Sequence, residues 1–162
     1  KIIYLDGYRF SDCDELLEIL KVTGIPSIID LDGYEGDSID LDKLGFFDSI
    51  ILNKSLLKQL TGSVSLKEKK NYFKSLSSRK IICTCGVEGV DTLYNGYLTK
   101  IPAPKAEVVD TTGAGDTFAG AYLHGLEKGT PFLDNVENAV KIASRSTSFD
   151  GSLGLLMKDL EI

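Results

Sequence analysis

The stretch Asp110-Thr111-Thr112-Gly113-Ala114-Gly115-Asp116-Thr117-Phe118 is where this sequence concentrates chemistry. Two glycines separated by one small residue allow a tight turn and let another group approach the backbone closely. Phe118, Ala121, Tyr122 and Gly125 then keep helical spacing, so the glycines fall where a connection becomes a helix. The first amides of a helix lack internal partners and carry the positive end of its dipole, which suits phosphate oxygens. Asp116 has two readings. A carboxylate in a first turn is stabilised by the dipole and needs no further task. Beside a bound phosphate it is repelled, unless it accepts the proton of an attacking hydroxyl while nearby amides neutralise the transferring phosphoryl group.

Other phosphate motifs fit poorly. A P-loop needs glycine, four residues, then Gly-Lys, and at that spacing from Gly115 the chain has Gly120-Ala121. The dinucleotide form needs a third glycine where Phe118 stands.

The elements that must position this string alternate along the chain. Strands are predicted over residues 1–5, Ser27 to Leu31, Ser49 to Leu52 and Ile81 to Cys85. A helix is predicted from Ser11 to Leu20, with Asp12 and Glu15 in capping-box spacing and Gly24 past its end. Others are predicted from Lys54 to Leu60, stopped by Gly62, and from Ser65 to about Leu76, where Ser65 and Glu68 repeat the capping-box pattern. Residues 32–47 are acidic and carry no assignment. Val90 to Tyr94 and Tyr97 to Ile101 flank Asn95-Gly96, a strong hairpin signal. Pro102 and Pro104 punctuate the connection to Val108-Val109-Asp110, and helices follow from Ala114 to Lys128 and from Thr130-Pro131 onward. Phe132, Val136, Ala139, Val140 and Ala143 stripe the second of these. Strands separated by such helices imply an α/β fold around a mostly parallel sheet, with one small hairpin.

Composition narrows the partners. A chain of 162 residues suits one domain, and 43% hydrophobic with 26% charged residues argues against wholesale disorder. A net charge of −6 argues against nucleic acid or an anionic membrane as a general partner. The basic run Lys67, Lys69 and Lys70 is broken by Glu68 and reads as a solvated face. Cys13, Cys83 and Cys85 form no disulfide framework, and with neither a signal sequence nor an apolar span the expectation is a cytoplasmic location. Cys83 and Cys85 lie two apart and share one strand face, most simply as core residues. His124 is the chain's one histidine, so no second pair completes a metal site. Opening on an abrupt strand without Met, the chain reads as the later part of a longer polypeptide.

The string Asp110 to Asp116 resembles the C-terminal signature of ribokinase-like (PfkB-type) carbohydrate and nucleoside kinases, Asp-Thr-Thr-Gly-Ala-Gly-Asp, at all seven positions. That resemblance implies a three-layer αβα fold, with Asp116 as catalytic base and Gly113, Ala114 and Gly115 as an anion hole. Thr84-Cys85-Gly86-Val87-Glu88-Gly89 is similar to the family's Thr-x-Gly-x-x-Gly nucleotide-binding turn, pointing to Thr84, Gly86 and Gly89. Asn53, ending Ile51-Leu52-Asn53, resembles the Asn of an Asn-x-x-Glu motif that helps order Mg²⁺ and phosphate, but Leu56 stands at the Glu position. Asp110 and Thr112, with carbonyls near Ser146 and Gly151, fall where the family binds a monovalent cation, K⁺, though an ordinary helix-ending loop explains residues 144–152 equally well. Asp30-Leu31-Asp32 is either an approach to substrate or Mg²⁺ or a plain acidic turn.

The family's earlier portion, with a sugar-binding strand and a lid that often mediates oligomerisation, is not visible in this sequence. The expected function is ATP-dependent phosphoryl transfer to a hydroxyl of a small molecule, a sugar ahead of a nucleoside. The alternatives are a nucleotide- or phosphate-binding module without catalysis and a purely structural α/β domain.

Overall fold

The computed structural model describes residues 1–152. They form two compact units, one of residues 1–85 with 91–100, the other of residues 86–90 with the stretch from Ile101 onward.

The first unit is built on a sheet whose strand order follows the sequence, β1-β2-β3-β4-β5-β6. The strands are β1 (Ile3–Asp6), β2 (Ser27–Asp30), β3 (Ser49–Asn53), β4 (Lys80–Thr84), β5 (Val90–Tyr94) and β6 (Tyr97–Ile101). The first four are parallel, with Tyr4 opposite Ile28, Ile29 opposite Ile50, Ile50 opposite Ile81 and Asn53 opposite Thr84. Strands β2, β3 and β4 each centre on an Ile-Ile pair and are buried there, as strands covered on both faces must be. β1 alternates between half-buried and exposed residues, as an edge strand can. The α/β class is as expected.

Two helices flank this sheet in sequence, α1 (Asp14–Thr23) and α3 (Lys54–Thr61), with the single turn α2 (Leu41–Leu44) between them. Leu17 and Leu20 of α1 join Phe47, Leu52, Leu57, Phe73 and Leu76 in one apolar core. Fully burying a side chain such as Leu57 or Phe47 contributes about 1.5–3 kcal/mol. Gly24 and Gly62 end α1 and α3 in the left-handed conformation, each amide bonding back to a carbonyl four residues earlier.

Two helix expectations are corrected. The helix predicted from Ser11 begins only at Asp14, because residues 7–12 wind as a 3₁₀ segment capped by Asp6, whose Oδ1 accepts the Tyr8 amide at 2.9 Å. Cys13, not Asp12, therefore stands at the cap of α1, without a side-chain bond. The helix predicted from Ser65 is a series of turns with 3₁₀ geometry over Lys74–Leu76. Ser65 Oγ accepts the Glu68 amide at 3.3 Å, but the Glu68 carboxylate takes the Ser63 hydroxyl at 2.6 Å, so the capping box stays half-made. Residues 32–47, left open by the sequence, contain α2, started by Asp40 accepting the Asp42 and Lys43 amides.

Asn95 and Gly96 close the β5–β6 hairpin with φ of 49° and 78°, the paired positive values that a type I′ turn requires. In the second unit α4 (Ala114–Glu127) and α5 (Phe132–Ser146) pack as a helical hairpin around Phe118, Ala119, Tyr122, Val136, Ala139 and Val140. The second helix starts one residue later than Thr130-Pro131 implies, with Pro131 at its cap. Asn135, 1% exposed, donates to the Tyr122 carbonyl at 2.8 Å, and Gly125 leaves room for it: a methyl there would lie 1.7 Å from Asn135 Oδ1.

Candidate active site

In open α/β sheets, ligands gather beyond the carboxyl ends of the parallel strands. In the first unit those ends carry Asp6, Asp30, Asn53 and Thr84. Asp30 is 7% exposed; its Oδ1 accepts the Asp32 amide at 3.1 Å and the Tyr4 hydroxyl donates to Oδ2 at 3.4 Å. Asn53 serves two neighbours. Its Oδ1 caps α3 by accepting the Leu56 amide at 2.8 Å, and its Nδ2 donates to Asp32 Oδ1 at 2.9 Å. The Asn53–Asp32 link is a feature the sequence did not disclose, since it joins residues 21 apart.

Leu56 lies in the core. The position at which the resembled motif has Glu thus offers no oxygen to a metal. Oxygen donors of the kind a hard cation takes remain on Asp30 and Asp32, while the Asn53 carbonyl oxygen is spent on the helix. Among the described residues, no three His, Cys, Asp or Glu side chains gather as a metal site would.

The residues proposed for nucleotide binding fall partly in each unit. Thr84 ends β4 opposite Asn53. Gly86 and Gly89 bound a 3₁₀ turn in the second unit, with φ of 57° and 93°, and the Gly89 amide bonds the Gly86 carbonyl at 2.9 Å. A Cβ on Gly89 would sit 2.1 Å from the Ile101 carbonyl oxygen, so backbone packing alone already demands glycine there.

The glycine-and-acid string opens α4 as its pattern implied. Gly113 is the cap residue, at φ 74° and ψ 6°, and no side chain caps the helix. The Ala114 amide turns back to the Thr111 carbonyl at 3.2 Å, and Thr117 bonds Gly113 at 2.8 Å. Among the described residues, no partner accepts from the Gly115 and Asp116 amides, the pair an anion could take up. Asp116 itself is exposed in the first turn.

Just upstream, Asp110 ties a loop. Its Oδ1 accepts the Thr112 amide at 2.9 Å and the Thr112 hydroxyl at 2.7 Å, and its Oδ2 accepts the Gly151 amide at 3.0 Å. The Thr112 amide, more than the Thr112 hydroxyl and the Gly151 amide, holds the Asp110 carboxyl below the usual carboxylate range. The Val109 and Asp110 amides both bond the Thr147 carbonyl. Asp110, Thr112 and Gly151 are therefore together, whereas the Ser146 hydroxyl is directed back to the Ala143 carbonyl at 2.8 Å and its own carbonyl accepts the Phe149 amide. A carboxylate and carbonyl oxygens are donors suited to a hard monovalent cation.

Solved structures supply the fold class. The chain superposes on ribokinase from Thermotoga maritima with a TM-score of 0.77 at 25% identity, covering 94% of this chain and 52% of that one. It also matches Arabidopsis thaliana ribokinase complexed with ribose and ATP, with a TM-score of 0.81 at 24% identity over 99% of this chain and 56% of that one. The architecture is thus the ribokinase-like α/β fold. The model of the pfkB family carbohydrate kinases matches residues 14–153, and the chain belongs to that family. Among curated relatives, the ribokinase of Lactococcus lactis is 40% identical over 124 residues, 76% of this chain and 40% of its own length. The Staphylococcus aureus ribokinase is 29% identical over 81% of this chain and 43% of its own. The chain spans less than half the length of these relatives. No helix among the described residues is long and apolar enough to cross a membrane.

Proposed function

We propose that this chain supplies the nucleotide- and phosphoryl-handling part of an ATP-dependent kinase whose acceptor is a hydroxyl of a sugar or related small molecule. One observation carries the reading: α4 starts on a left-handed glycine with no side-chain cap, leaving the Gly115 and Asp116 amides unpartnered beside an exposed carboxylate. Two such amides at a dipole's positive end would neutralise charge on a transferring phosphoryl group, and Asp116 would take the proton of the attacking hydroxyl. Gly113, Ala114 and Gly115 form the proposed anion hole, and Asn53, Thr84, Gly86 and Gly89 are assigned to the nucleotide. Family membership supports this, as does the binding of ATP or an ATP analog by the Arabidopsis ribokinase and by a Salmonella enterica aminoimidazole riboside kinase of like fold.

Mg²⁺, when bound, screens the phosphate charge. Asp32 and Asp30 are the residues that would meet it or its waters, and Asp110, Thr112 and Gly151, which lie together without Ser146, are the ones that would hold K⁺. A sugar is preferred over a nucleoside as acceptor because the relatives of this chain include ribokinases of Lactococcus lactis, Staphylococcus aureus and Schizosaccharomyces pombe.

The test is Asp116→Asn in a polypeptide that also carries the portion of its relatives this chain does not span. Turnover of ribose should drop by ~10²- to 10⁴-fold while ATP still binds. Near-normal turnover removes Asp116 as the base. A second reading, a nucleotide-binding module without catalysis, is favoured by the buried Leu56 at the motif's Glu position. It requires ATP binding with no turnover even before Asp116 is changed.

A further inference from the structure

The loops that follow β1 and β2 are locked together at the carboxyl end of the sheet. A Cβ on Gly7 would lie 2.9 Å from the Asp32 carbonyl oxygen, so Asp6 and Tyr8, on either side of Gly7, adjoin the loop that leaves β2. Phe10 and Tyr34 pack edge to face with ring centroids 5.7 Å apart, and the Tyr34 hydroxyl donates to the Ser38 carbonyl at 2.7 Å. Within this clasp Phe10 is 2% exposed, whereas Tyr8 is 69% exposed. The Tyr8 ring is held all the same. It leans on Gly33 so closely that no Cβ fits there, and the Tyr8 amide donates to Asp6 Oδ1 at 2.9 Å. Asp6 is exposed beside it and gives one acceptor site to that amide; a carboxylate has about four, so places remain for hydroxyl donors. An aromatic ring fixed on one side and open on the other, where α/β sheets gather ligands, is a wall for a ring-shaped molecule.

We propose, resting on the kinase reading above, that Tyr8 binds the acceptor, its exposed ring carrying the less polar face of a sugar. Strand order gives this ring to the acceptor and not to the nucleotide. Adjacent strands lie about 4.8 Å apart, which puts the end of β1 roughly 14 Å from the end of β4, where Thr84 is assigned to the nucleotide. The seat on Gly33 also matters. A ring already held in place loses little side-chain freedom when a ligand covers it.

The test uses a polypeptide that also carries the portion of its relatives this chain does not span. Tetranitromethane nitrates exposed tyrosines, and residues 2–9 form one tryptic peptide in which fragmentation separates Tyr8 from Tyr4. Saturating ribose should slow nitration of Tyr8 several-fold and leave Tyr97, 77% exposed on β6, unaffected. ATP with Mg²⁺ alone should not protect Tyr8. Tyr8→Ala should raise the KM for ribose about tenfold with little change in kcat or in the KM for ATP, and Tyr8→Phe, which keeps the ring face, should recover most of that loss. Three results overturn the proposal: Tyr8 nitrated equally fast with and without ribose, protection by ATP alone, or the same KM for ribose in the parent and a folded alanine variant. Nitration of the parent needs neither a variant nor turnover. Protection by ribose without phosphoryl transfer would fail the kinase reading and leave the Tyr8 contact standing, and turnover of ribose without protection would do the reverse.

Discussion

Helices α3 and α4 begin in opposite ways. α3 starts on Asn53, whose side chain accepts the Leu56 amide and whose extended backbone leads out of β3. α4 starts on Gly113, left-handed and without a side chain to offer. The first helix satisfies one of its orphan amides from within; the second leaves the Gly115 and Asp116 amides to whatever arrives. A helix start that is stabilised internally gives up anion affinity, and one kept open gives up stability. As caps, asparagine and glycine differ by only about a few tenths of a kcal/mol, so the open start costs little. The proposed division of labour follows, with Asn53 organising a strand end and Gly113 opening a phosphate seat.

Breaking the open start should have the larger effect. At Gly113 a Cβ would come 2.7 Å from Ser152 Cβ, and φ is +74°. Left-handed backbone alone costs an L-residue about 1–2 kcal/mol, and the contact with Ser152 adds to it. Gly113→Val is therefore expected to weaken ATP binding by more than tenfold and lower the melting temperature, measured by calorimetric titration and thermal unfolding. Unchanged ATP affinity in a folded variant would detach the phosphate seat from this turn.

Gly113 also marks what the sequence could and could not disclose. Glycines 24, 62 and 113 all stand at positive φ next to helix ends, and each was legible because the residue type itself carries the conformational freedom. The Asn95-Gly96 hairpin was legible for the same reason. The capping boxes were not. Ser65 and Glu68 have the right spacing, yet Ser63 competes for the Glu68 carboxylate from outside the pattern. The burial of Leu56 was not legible either, because an eight-residue helix has too few turns to show which stripe faces a sheet it meets only in the folded chain. The Asn53–Asp32 bond is a tertiary fact of strand order, whereas the string Asp110 to Asp116 is local and could be read whole.

Breaking the closed start should cost less and act on stability. Asn53→Ala removes the cap of α3 and the bond to Asp32, and about 1 kcal/mol of unfolding free energy should go with them. Asn53→Ser separates the two roles, since a serine oxygen can still cap Leu56 but has no amide for Asp32. Urea unfolding of the serine variant close to the parent, with the alanine variant clearly weaker, would assign the effect to the cap. Equal losses would assign it to Asp32 instead.

The smallest effect belongs to the acid that steadies the approach to the open start. The Asp110 carboxyl is held below the usual carboxylate range, first by the Thr112 amide, then by the Thr112 hydroxyl and the Gly151 amide. A carboxyl depressed in the folded state contributes stability that is present above its unfolded pKa of about 3.9 and disappears as pH falls through the folded value. Protonation turns a charge-assisted acceptor into a neutral one, so the Gly151 tether should loosen below pH ~4. Because Asp110 lies near solvent, the change should be local, visible as faster exchange of the Gly151 amide in NMR well before global unfolding. Asp110→Asn has nothing to titrate and keeps one oxygen, enough for the Thr112 pair or for Gly151 but not both, so its Gly151 amide should show no acid step. An acid step of full size in that variant would move the tether to another carboxylate, and the helix start at Gly113 would then be steadied by some group other than Asp110.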